Sequence, residues 1–427
     1  MAMLFGDASA RSDWAWVRLD VTGGRIVSAS GEGPGMGALL DSLPGRTLLQ
    51  AAAAPGEPLA TDALAAALEP AAVASPAPGR VVVAMSGGVD SAVALLRAVE
   101  AGLEPVGVTL RLWVDPASSG GDRACCSPGA ALAARALCHE LGVPHLTADL
   151  REEFRERVVR PFVEEYRAGA TPNPCVRCNG SFRLHRLLAI ADRVGARELW
   201  TGHYARLVEH RGRTLLARGI DPGKDQSYML ATVAPSVLTR LRFPLGGQTK
   251  DETRADARAA GLAAAGRPES QEACFLGGSD YRDFLRRHGV EAREGELVDP
   301  EGRVLGRHDG FWTFTPGQRR GLRVASSEGA LYTVATDPDT NTVVVGPRRL
   351  LARTRIAVDG GRLYVPVDRI AAKLRYRSPT VPATVTASER GFTIDLDEPA
   401  FGVARGQAAV LYEGDVVVGA GLVSGSG

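Results

Sequence analysis

The sequence predicts an α/β protein with a parallel sheet, followed by a small β-rich domain and a C-terminal antiparallel β-barrel. Between Gly79 and about Tyr281, short apolar runs alternate with longer amphipathic stretches, the pattern of strands joined by crossover helices. After Tyr281, short strand-like segments are separated by Gly and Asp-Pro turns. A chain of 427 residues exceeds what one core serves. We expect four units, at residues 1–78, 79–282, 283–350 and 351–427.

Composition sets limits on the possible functions. The formal net charge is +1, so a nucleic-acid site has to be a local patch and not a property of the whole chain. No apolar run is long enough to span a bilayer, and the N-terminus shows no export signal. We therefore expect a cytoplasmic protein without membrane partners, whose cysteines are reduced at rest.

The first unit reads as a separate extension. Strands are predicted at residues 16–21 and 26–27, then an Ala-rich helix at 61–68 and a Pro/Ala/Gly linker at 74–79. The segment of residues 16–53 faintly resembles an iron–sulfur scaffold domain, but the extension contains no cysteine and cannot hold a cluster. We expect a structural role or the docking of a sulfur-delivery partner.

The second unit carries the strand–helix alternation. The apolar runs at residues 81–84, 106–110, 145–148 and 198–202 predict strands. The stretches at residues 128–141, 151–167 and 182–194 predict helices. In such a parallel sheet, ligands collect at the carboxyl ends of the strands.

The loop after the first of these strands predicts an anion site. Two glycines let backbone N–H groups converge on an oxyanion, and the following helix N-terminus adds partial positive charge. The loop lacks the Gly-Lys-Ser/Thr of a Walker A motif and the Gly-x-Gly-x-x-Gly of a dinucleotide site. It resembles the pyrophosphate loop of enzymes that split ATP into AMP and pyrophosphate. Its residues are Ser86, Gly87, Gly88, Val89, Asp90 and Ser91.

Two cysteine segments are candidates for chemistry. Cys175 and Cys178 form a Cys-x-x-Cys motif behind Asn173-Pro174, where a helix N-terminus would favour thiolate. Half of a zinc knuckle and inert thiols are the alternatives, although no second Cys-x-x-Cys completes a four-cysteine zinc site. Cys274, in the segment Ser270-Gln271-Glu272-Ala273-Cys274-Phe275, taken alone would be a buried small hydrophobe.

Taken together, these motifs resemble the family of bacterial tRNA-specific 2-thiouridylases. The resemblance runs in order from about Arg80 to Leu422. It rests on the segments at residues 86–91, 125–127 (Cys-Cys-Ser), 171–179, 201–206, 224–228, 243–246, 270–275, 306–310, 315–321 and 375–378. It implies a PP-loop ATP pyrophosphatase domain of the adenine nucleotide alpha hydrolase type, carrying a sulfurtransferase that acts on the wobble uridine of tRNA.

The resemblance also implies roles for individual residues. The 86–91 loop would bind the ATP phosphates, with Leu110 and Gly202 lining the adenine pocket. Cys178 would be the nucleophile and Cys274 the persulfide carrier. Asn173, Pro174 and Cys175 would meet the target base. The residues implied to contact tRNA are His203, Lys224, Asp225, Gln226, Arg375, Tyr376 and Gln407.

The chemistry of these residue types agrees with that reaction. Transfer of AMP to the uridine O2 turns a poor leaving group into a good one, with Asp90 placed to hold Mg²⁺ against the phosphates. The persulfide on Cys274 then supplies sulfur, and Cys178 resolves it to leave a Cys178–Cys274 disulfide that must be reduced. A cysteine desulfurase or a sulfur-relay protein is the expected donor.

Cys175 is a departure from some family members, which carry Asp at this position as a suggested acid/base group. The substitution creates a set of three thiols, Cys175, Cys178 and Cys274, which could hold a [4Fe–4S] cluster with one open iron.

Basic residues are dense between Arg348 and Arg377, as phosphate binding requires. In the same stretch Arg375-Tyr376 suits base stacking. Two rival functions stay open at this point. One is a PP-loop synthetase or amidotransferase acting on a small metabolite, and the other is a non-catalytic tRNA-binding homologue.

Overall fold

The computed structural model describes residues 2–4, 15–69, 72–113, 128–267, 273–324 and 329–426. The extension folds as a three-stranded antiparallel sheet, in the order β1-β2-β3, covered by helices. Its elements are β1 (Ala2–Leu4), β2 (Ala15–Thr22), β3 (Arg25–Glu32), α1 (Met36–Asp41), α2 (Leu48–Ala52) and α3 (Pro58–Leu68).

The second unit is built on a five-stranded parallel sheet. Its strands are β4 (Arg80–Ala84), β5 (Glu104–Arg111), β6 (His145–Asp149), β7 (Glu198–Trp200) and, later in the chain, β10 (Leu241–Arg242), in the order β10-β7-β4-β5-β6. β4 is a run of β-branched residues buried on both faces, as a central parallel strand requires. The carboxyl ends of all five strands therefore meet at one edge.

Helices cover both faces of this sheet. They are α4 (Val89–Glu100), α5 (Pro128–Glu140), α6 (Arg151–Phe154), α7 (Arg160–Arg167), α8 (Pro174–Cys178), α9 (Leu184–Arg193), α10 (Ser227–Leu230), α11 (Pro235–Leu238), α12 (Lys250–Ala259) and α13 (Tyr281–Arg287). π-helical turns at Arg155–Val159 and Asn179–Arg183 join α6 to α7 and α8 to α9.

The third and fourth units are β structures. The third is a four-stranded sheet, in the order β12-β11-β14-β13, of β11 (Gly295–Val298), β12 (Val304–His308), β13 (Leu331–Asp337) and β14 (Thr342–Pro347). The fourth closes into a six-stranded barrel because its first and last strands pair. Its strands are β15 (Ala352–Leu363), β16 (Arg369–Lys373), β17 (Val381–Ser388), β18 (Gly391–Phe401), β19 (Ala408–Glu413) and β20 (Val416–Ser426).

The predicted fold class is confirmed, with differences in the elements. The helix predicted at residues 182–194 begins earlier, at Pro174, because Asn173 caps that turn and the π-helical turn Asn179–Arg183 continues it into α9. The strand predicted at residues 198–202 ends at Trp200. A hairpin of β8 (Ala205–His210) and β9 (Arg213–Arg218), which the periodicity did not indicate, leaves the parallel sheet and extends the barrel sheet beside β20.

The extension is joined to the second unit through a buried ion-pair group. The carboxylate of Asp62, on α3, accepts hydrogen bonds from the guanidinium groups of Arg111 and Arg135. Arg135 is only 2% exposed, and its side chain also reaches the Pro58 carbonyl oxygen. α3 packs along β6, the edge strand of the parallel sheet. The extension therefore covers a sheet edge, and one carboxylate balances two cations there.

Among the described residues, no helix is both long enough and apolar enough to cross a bilayer.

The Asp62 group yields a stability prediction. Asp62→Ala leaves the buried guanidinium of Arg135 without its carboxylate, so we expect the free energy of unfolding to fall by about 3–5 kcal/mol. Asp41→Ala, at an exposed position on the same extension, should change it by less than about 0.5 kcal/mol. Urea denaturation of the two full-length variants makes the comparison. Equal midpoints for the two would contradict the structural role given to Asp62.

Candidate active site and RNA-contact surface

The loop of residues 86–91 joins β4 to α4 at the carboxyl edge of the sheet. Gly87 has a φ of +74°, and a Cβ there would lie 2.3 Å from the carbonyl oxygen of Ala130, so only glycine fits. The Ser91 hydroxyl donates to the Gly88 carbonyl oxygen at 2.9 Å and accepts from the Ser86 N–H at 3.2 Å. Both serines, predicted as phosphate donors, thus also hold the shape of the loop.

Asp90 is the charged residue of this loop, in the first turn of α4. Its Oδ1 accepts hydrogen bonds from the Lys250 Nζ at 2.6 Å and from the Tyr204 hydroxyl at 2.9 Å. Lys250 is only 6% exposed. It is placed by the capping box of α12, in which Thr249 and Glu252 satisfy each other's backbone N–H groups. An ammonium group therefore neutralises the one carboxylate at the helix N-terminus.

Two further residues predicted to bind ATP lie at the same edge of the sheet. Leu110 is buried at the end of β5. Gly202, beyond the end of β7, approaches α4 so closely that a Cβ would lie 2.7 Å from the backbone carbon of Asp90. The carboxyl edge of the sheet therefore carries the loop, Leu110 and Gly202.

The cysteine motif occupies the start of a long helix. The Asn173 side chain caps α8 by accepting a hydrogen bond from the Val176 N–H at 3.2 Å. Cys175 is half-buried in the first turn, whereas Cys178 is buried one turn later. The helix dipole therefore acts on Cys175 most directly, because its effect falls off within the first turn.

The segment of Cys274 meets that helix through aromatic packing. Phe275, next to the half-buried Cys274, packs edge-on against Phe154 with ring centroids 6.0 Å apart. Phe154 in turn packs on Phe182, one turn beyond Cys178, at 5.9 Å. The segments of Cys178 and Cys274 thus both lie on one aromatic cluster. Residues 270–272 and the 125–127 segment named above lie outside the described residues.

The remaining described cysteine differs from these three. Cys138 is fully buried on α5, and burial raises the pKa of its thiol far above the ordinary range. The thiol at this position is therefore inert packing.

The loop ahead of the cysteines is tied to the barrel. Gln407, a predicted tRNA contact, donates its side-chain amide to the Thr171 carbonyl oxygen at 2.7 Å. The Thr171 N–H donates to the carbonyl oxygen of Arg405 at 2.8 Å. The barrel segment before β19 therefore holds the loop that carries Asn173 and Pro174.

Other predicted tRNA contacts also bond within the protein. Asp225 accepts from the Gly219 and Ser227 N–H groups at 3.2 and 3.0 Å. The Gln226 Oε1 accepts from the Tyr204 N–H at 3.0 Å. These two side chains shape the 221–228 segment from inside, and Lys224 lies on the same turn.

His203 and Tyr376 present different chemistry. His203 Nδ1 lies 2.8 Å from Thr201 Oγ1, and burial, aided by the Arg183 charge, lowers the pKa of His203 to about 3. Its ring is neutral at physiological pH and suits a base or ribose better than a phosphate. The Tyr376 ring lies 5.9 Å from the Tyr228 ring, and the Lys373 Nζ lies 6.0 Å from the Tyr376 centroid.

Arg375 joins domains. Its guanidinium runs between Gly317 of the third unit and Gly402 of the barrel, where added Cβ atoms would lie 3.2 and 2.9 Å from its Nη1. Arg375 thus lies where the two β units meet.

Lys250 and Tyr204 were missed as site residues. Lys250 is one of only three lysines in an Arg-rich chain, and this rarity could have marked it as a candidate. Its partner Asp90 lies 160 positions away, so no local pattern connects the two residues. Tyr204 belongs to the segment at residues 201–206, on which the family resemblance rests, but the sequence assigned it no role.

The comparisons with known proteins agree with this geometry. Family models match in succession: a tRNA methyl transferase HUP domain at residues 79–278, a tRNA methyl transferase PRC-barrel domain at 282–347 and an aminomethyltransferase β-barrel domain at 366–423. A tRNA-specific 2-thiouridylase of Rhizorhabdus wittichii is 44% identical over 362 residues, which cover 83% of this chain and 94% of that protein. The chain belongs to the tRNA-specific 2-thiouridylase family.

Other relatives leave part of this chain unmatched. A family member from Acidithiobacillus ferrooxidans is 43% identical over 99% of its own length but only 81% of this chain. A bifunctional NifU/MnmA protein of Rubrobacter xylanophilus is 45% identical over 81% of this chain and 70% of its own. About a fifth of this chain thus lies outside either match. Among solved structures, a 4-thiouridine synthetase–RNA complex with bound ATP is 20% identical, covering 49% of this chain and 50% of its own, with a TM-score of 0.30.

The Gln407 contact predicts a local effect on the target-base loop. Gln407→Ala removes a hydrogen bond of about 1 kcal/mol, so amide hydrogen exchange at residues 171–178 should speed up about three- to tenfold. Gln50→Ala, which breaks an exposed capping contact in the extension, is the matched control and should leave that exchange unchanged. Equal exchange at residues 171–178 in both variants would remove the support for the barrel's role.

Proposed function

We propose that this protein is an ATP-dependent tRNA 2-thiouridylase of the cytoplasm, which converts the wobble uridine U34 to 2-thiouridine. The observation that carries the proposal is the site itself. A pyrophosphate-type loop lies at the carboxyl edge of the sheet, and two distant cysteine segments pack on one aromatic cluster. A sulfurtransferase that activates its acceptor with ATP needs both features.

Activation of the uridine is the first step. The O2 of uridine attacks the α-phosphorus of ATP, forming an O–P bond while the bond to pyrophosphate breaks. The backbone N–H groups of residues 86–91 and the N-terminus of α4 receive the departing pyrophosphate. With Lys250 on its Oδ1, Asp90 adds no net charge that would repel the phosphates.

Sulfur transfer follows at the cysteines. The terminal sulfur of a Cys274 persulfide attacks C2, and AMP leaves with the former O2. Cys178 attacks the Cys274 Sγ, so the S–S bond to the transferred sulfur breaks and a Cys178–Cys274 disulfide forms. An external dithiol then supplies two electrons to restore both thiols. In an alternative order, Cys178 first releases the sulfur as sulfide, which attacks C2.

Of the two metal groups that the sequence suggested, Mg²⁺ suits the proposed site and a [4Fe–4S] cluster does not. Mg²⁺ would arrive with ATP, and Asp90 could offer it a carboxylate oxygen from the loop. A [4Fe–4S] cluster does not fit, because no group of three or more His, Cys, Asp or Glu side chains within the described residues could hold a metal ion. Cys175 therefore acts as a thiol beside the target base.

The tRNA surface consists of groups at the junction of the second unit and the barrel. A neutral His203 and the Tyr376 ring suit bases, whereas Lys224, Lys373 and the arginines between Arg348 and Arg377 supply charge for phosphates. The target uridine has to leave its stack to reach Asn173, Pro174 and Cys175.

Thiolation with cysteine variants tests the function and its rivals. The full chain is incubated with ATP, Mg²⁺, sulfide or a desulfurase with cysteine, and unmodified tRNA, and nucleosides are quantified by mass spectrometry. Cys274→Ser should lower desulfurase-driven 2-thiouridine by at least about 10³-fold. Cys138→Ser should retain it, because that thiol is inert.

The alternatives predict other results. A small-metabolite synthetase needs neither Cys178 nor Cys274 and makes no 2-thiouridine. A non-catalytic tRNA-binding homologue binds tRNA but forms no pyrophosphate from ATP. Equal 2-thiouridine yields from Cys274→Ser and Cys138→Ser would overturn the proposed roles of the cysteines.

The sulfur donor, a cysteine desulfurase or a sulfur-relay protein, is proposed to dock on the extension. Deleting the extension would also unpair Arg135, so a surface change is the cleaner test. Val27, on β3, is 60% exposed, and Val73, just before the linker, is 66% exposed. Val27→Asp should slow desulfurase-driven thiolation about tenfold and spare sulfide-driven thiolation. Val73→Asp is the control; equal effects of the two variants would argue against docking on the antiparallel pair β2–β3.

A further inference from the structure

The ATP loop and the 221–228 segment are joined by two continuous routes of hydrogen bonds. The first route runs through Lys250. Its Nζ binds the Asp90 Oδ1 at 2.6 Å, while its backbone N–H donates to the Asp221 Oδ2 at 3.0 Å. The side chain and the main chain of one buried residue thus hold two segments that are far apart in sequence.

Asp221 organises the segment on the other side of Lys250. Its carbonyl oxygen accepts from the Lys224 and Asp225 N–H groups at 3.1 and 2.9 Å. Its Oδ1 accepts from the Gly223 N–H at 2.9 Å. Both carboxylate oxygens of Asp221 are therefore engaged, and the turn that carries Lys224 is fixed relative to α12.

The second route runs through Tyr204. Its hydroxyl donates to the Asp90 Oδ1 at 2.9 Å. Its backbone N–H donates to the Gln226 Oε1 at 3.0 Å, and its carbonyl oxygen accepts from the Gln226 N–H at 2.9 Å. Both routes therefore end on the same oxygen of the ATP loop and begin on the same eight-residue segment.

We propose that Lys250 is a positioning residue that couples the two sites, so that tRNA bound at the 221–228 segment raises the affinity of the 86–91 loop for ATP. The inference rests on the proposed function, because that function makes the segment a tRNA contact. A displaced segment moves Lys250 through Asp221, and Lys250 sets the charge and position of Asp90 at the helix N-terminus. Adenylation is then favoured when the acceptor is present.

The coupling is measured with α,β-methylene-ATP, whose α–β bond cannot be broken. Its dissociation constant for the full chain is determined by equilibrium dialysis without tRNA and with saturating unmodified tRNA. For the unaltered chain we expect tRNA to lower this constant at least about fivefold, within the usual range of coupling between sites. Lys250→Met should lower this tightening by tRNA at least about twofold, since only the Tyr204 route remains, and should also weaken binding without tRNA because Asp90 is no longer neutralised.

Two further variants keep the test independent of misfolding. Asp221→Ala leaves the Lys250–Asp90 ion pair in place but removes the acceptor of the Lys250 N–H, so it should lower the coupling as Lys250→Met does. Arg258→Met removes an exposed cation from the same helix and should retain the full factor. The coupling is wrong if tRNA lowers the dissociation constant of Lys250→Met as much as that of the unaltered chain. It is also wrong if tRNA does not change the constant of the unaltered chain.

Failure of the proposed function looks different. If the unaltered chain makes no 2-thiouridine while tRNA still tightens binding of the analogue, the function is wrong and the coupling stands. If 2-thiouridine forms and Lys250→Met keeps the full factor, the function stands and the coupling is wrong.

Discussion

A buried ammonium group beside a carboxylate is the interaction on which the site depends. Asp90 places negative charge in the first turn of α4, where phosphates have to bind, and Lys250 neutralises it from the start of α12. Without that pairing the helix N-terminus would hold its own carboxylate in place of a ligand anion. The glycines of the loop, the close approach of Gly202 and the capping box of α12 all serve to keep these two groups together.

A second ion-pair group attaches the extension to the second unit. Asp62 is one carboxylate between two arginines, and Arg111 is the last residue of β5, directly after Leu110 at the nucleotide edge. The extension is therefore part of the second unit's core and covers its sheet edge, although the matching family models begin only at residue 79. The extension is thus held rigidly near the ATP site, where the proposed sulfur donor would dock.

Much of the fold and part of the site could be predicted from the sequence. The features that could not be predicted depend on contacts between residues far apart in the chain. The parallel sheet was predicted from short apolar runs that alternate with amphipathic stretches, and the loop from glycines whose backbone demands are local. Lys250 and Asp62 escaped prediction because their partners lie 160 and 49 or more positions away, and no local pattern encodes such pairings. The β8–β9 hairpin escaped because its place beside β20 is decided by tertiary packing. Gln407 and Asp225 were predicted as RNA contacts, yet the structure also gives them partners inside the protein.

In a tRNA 2-thiouridylase, ATP cleavage and sulfur insertion form one coupled reaction on a tRNA base. This coupling is measured as the stoichiometry of the unaltered chain supplied with ATP, Mg²⁺, sulfide, a dithiol and unmodified tRNA. We expect about one AMP and about one pyrophosphate for each 2-thiouridine formed, and neither product in the absence of tRNA. AMP release without tRNA at the same rate, or AMP without 2-thiouridine, would contradict it.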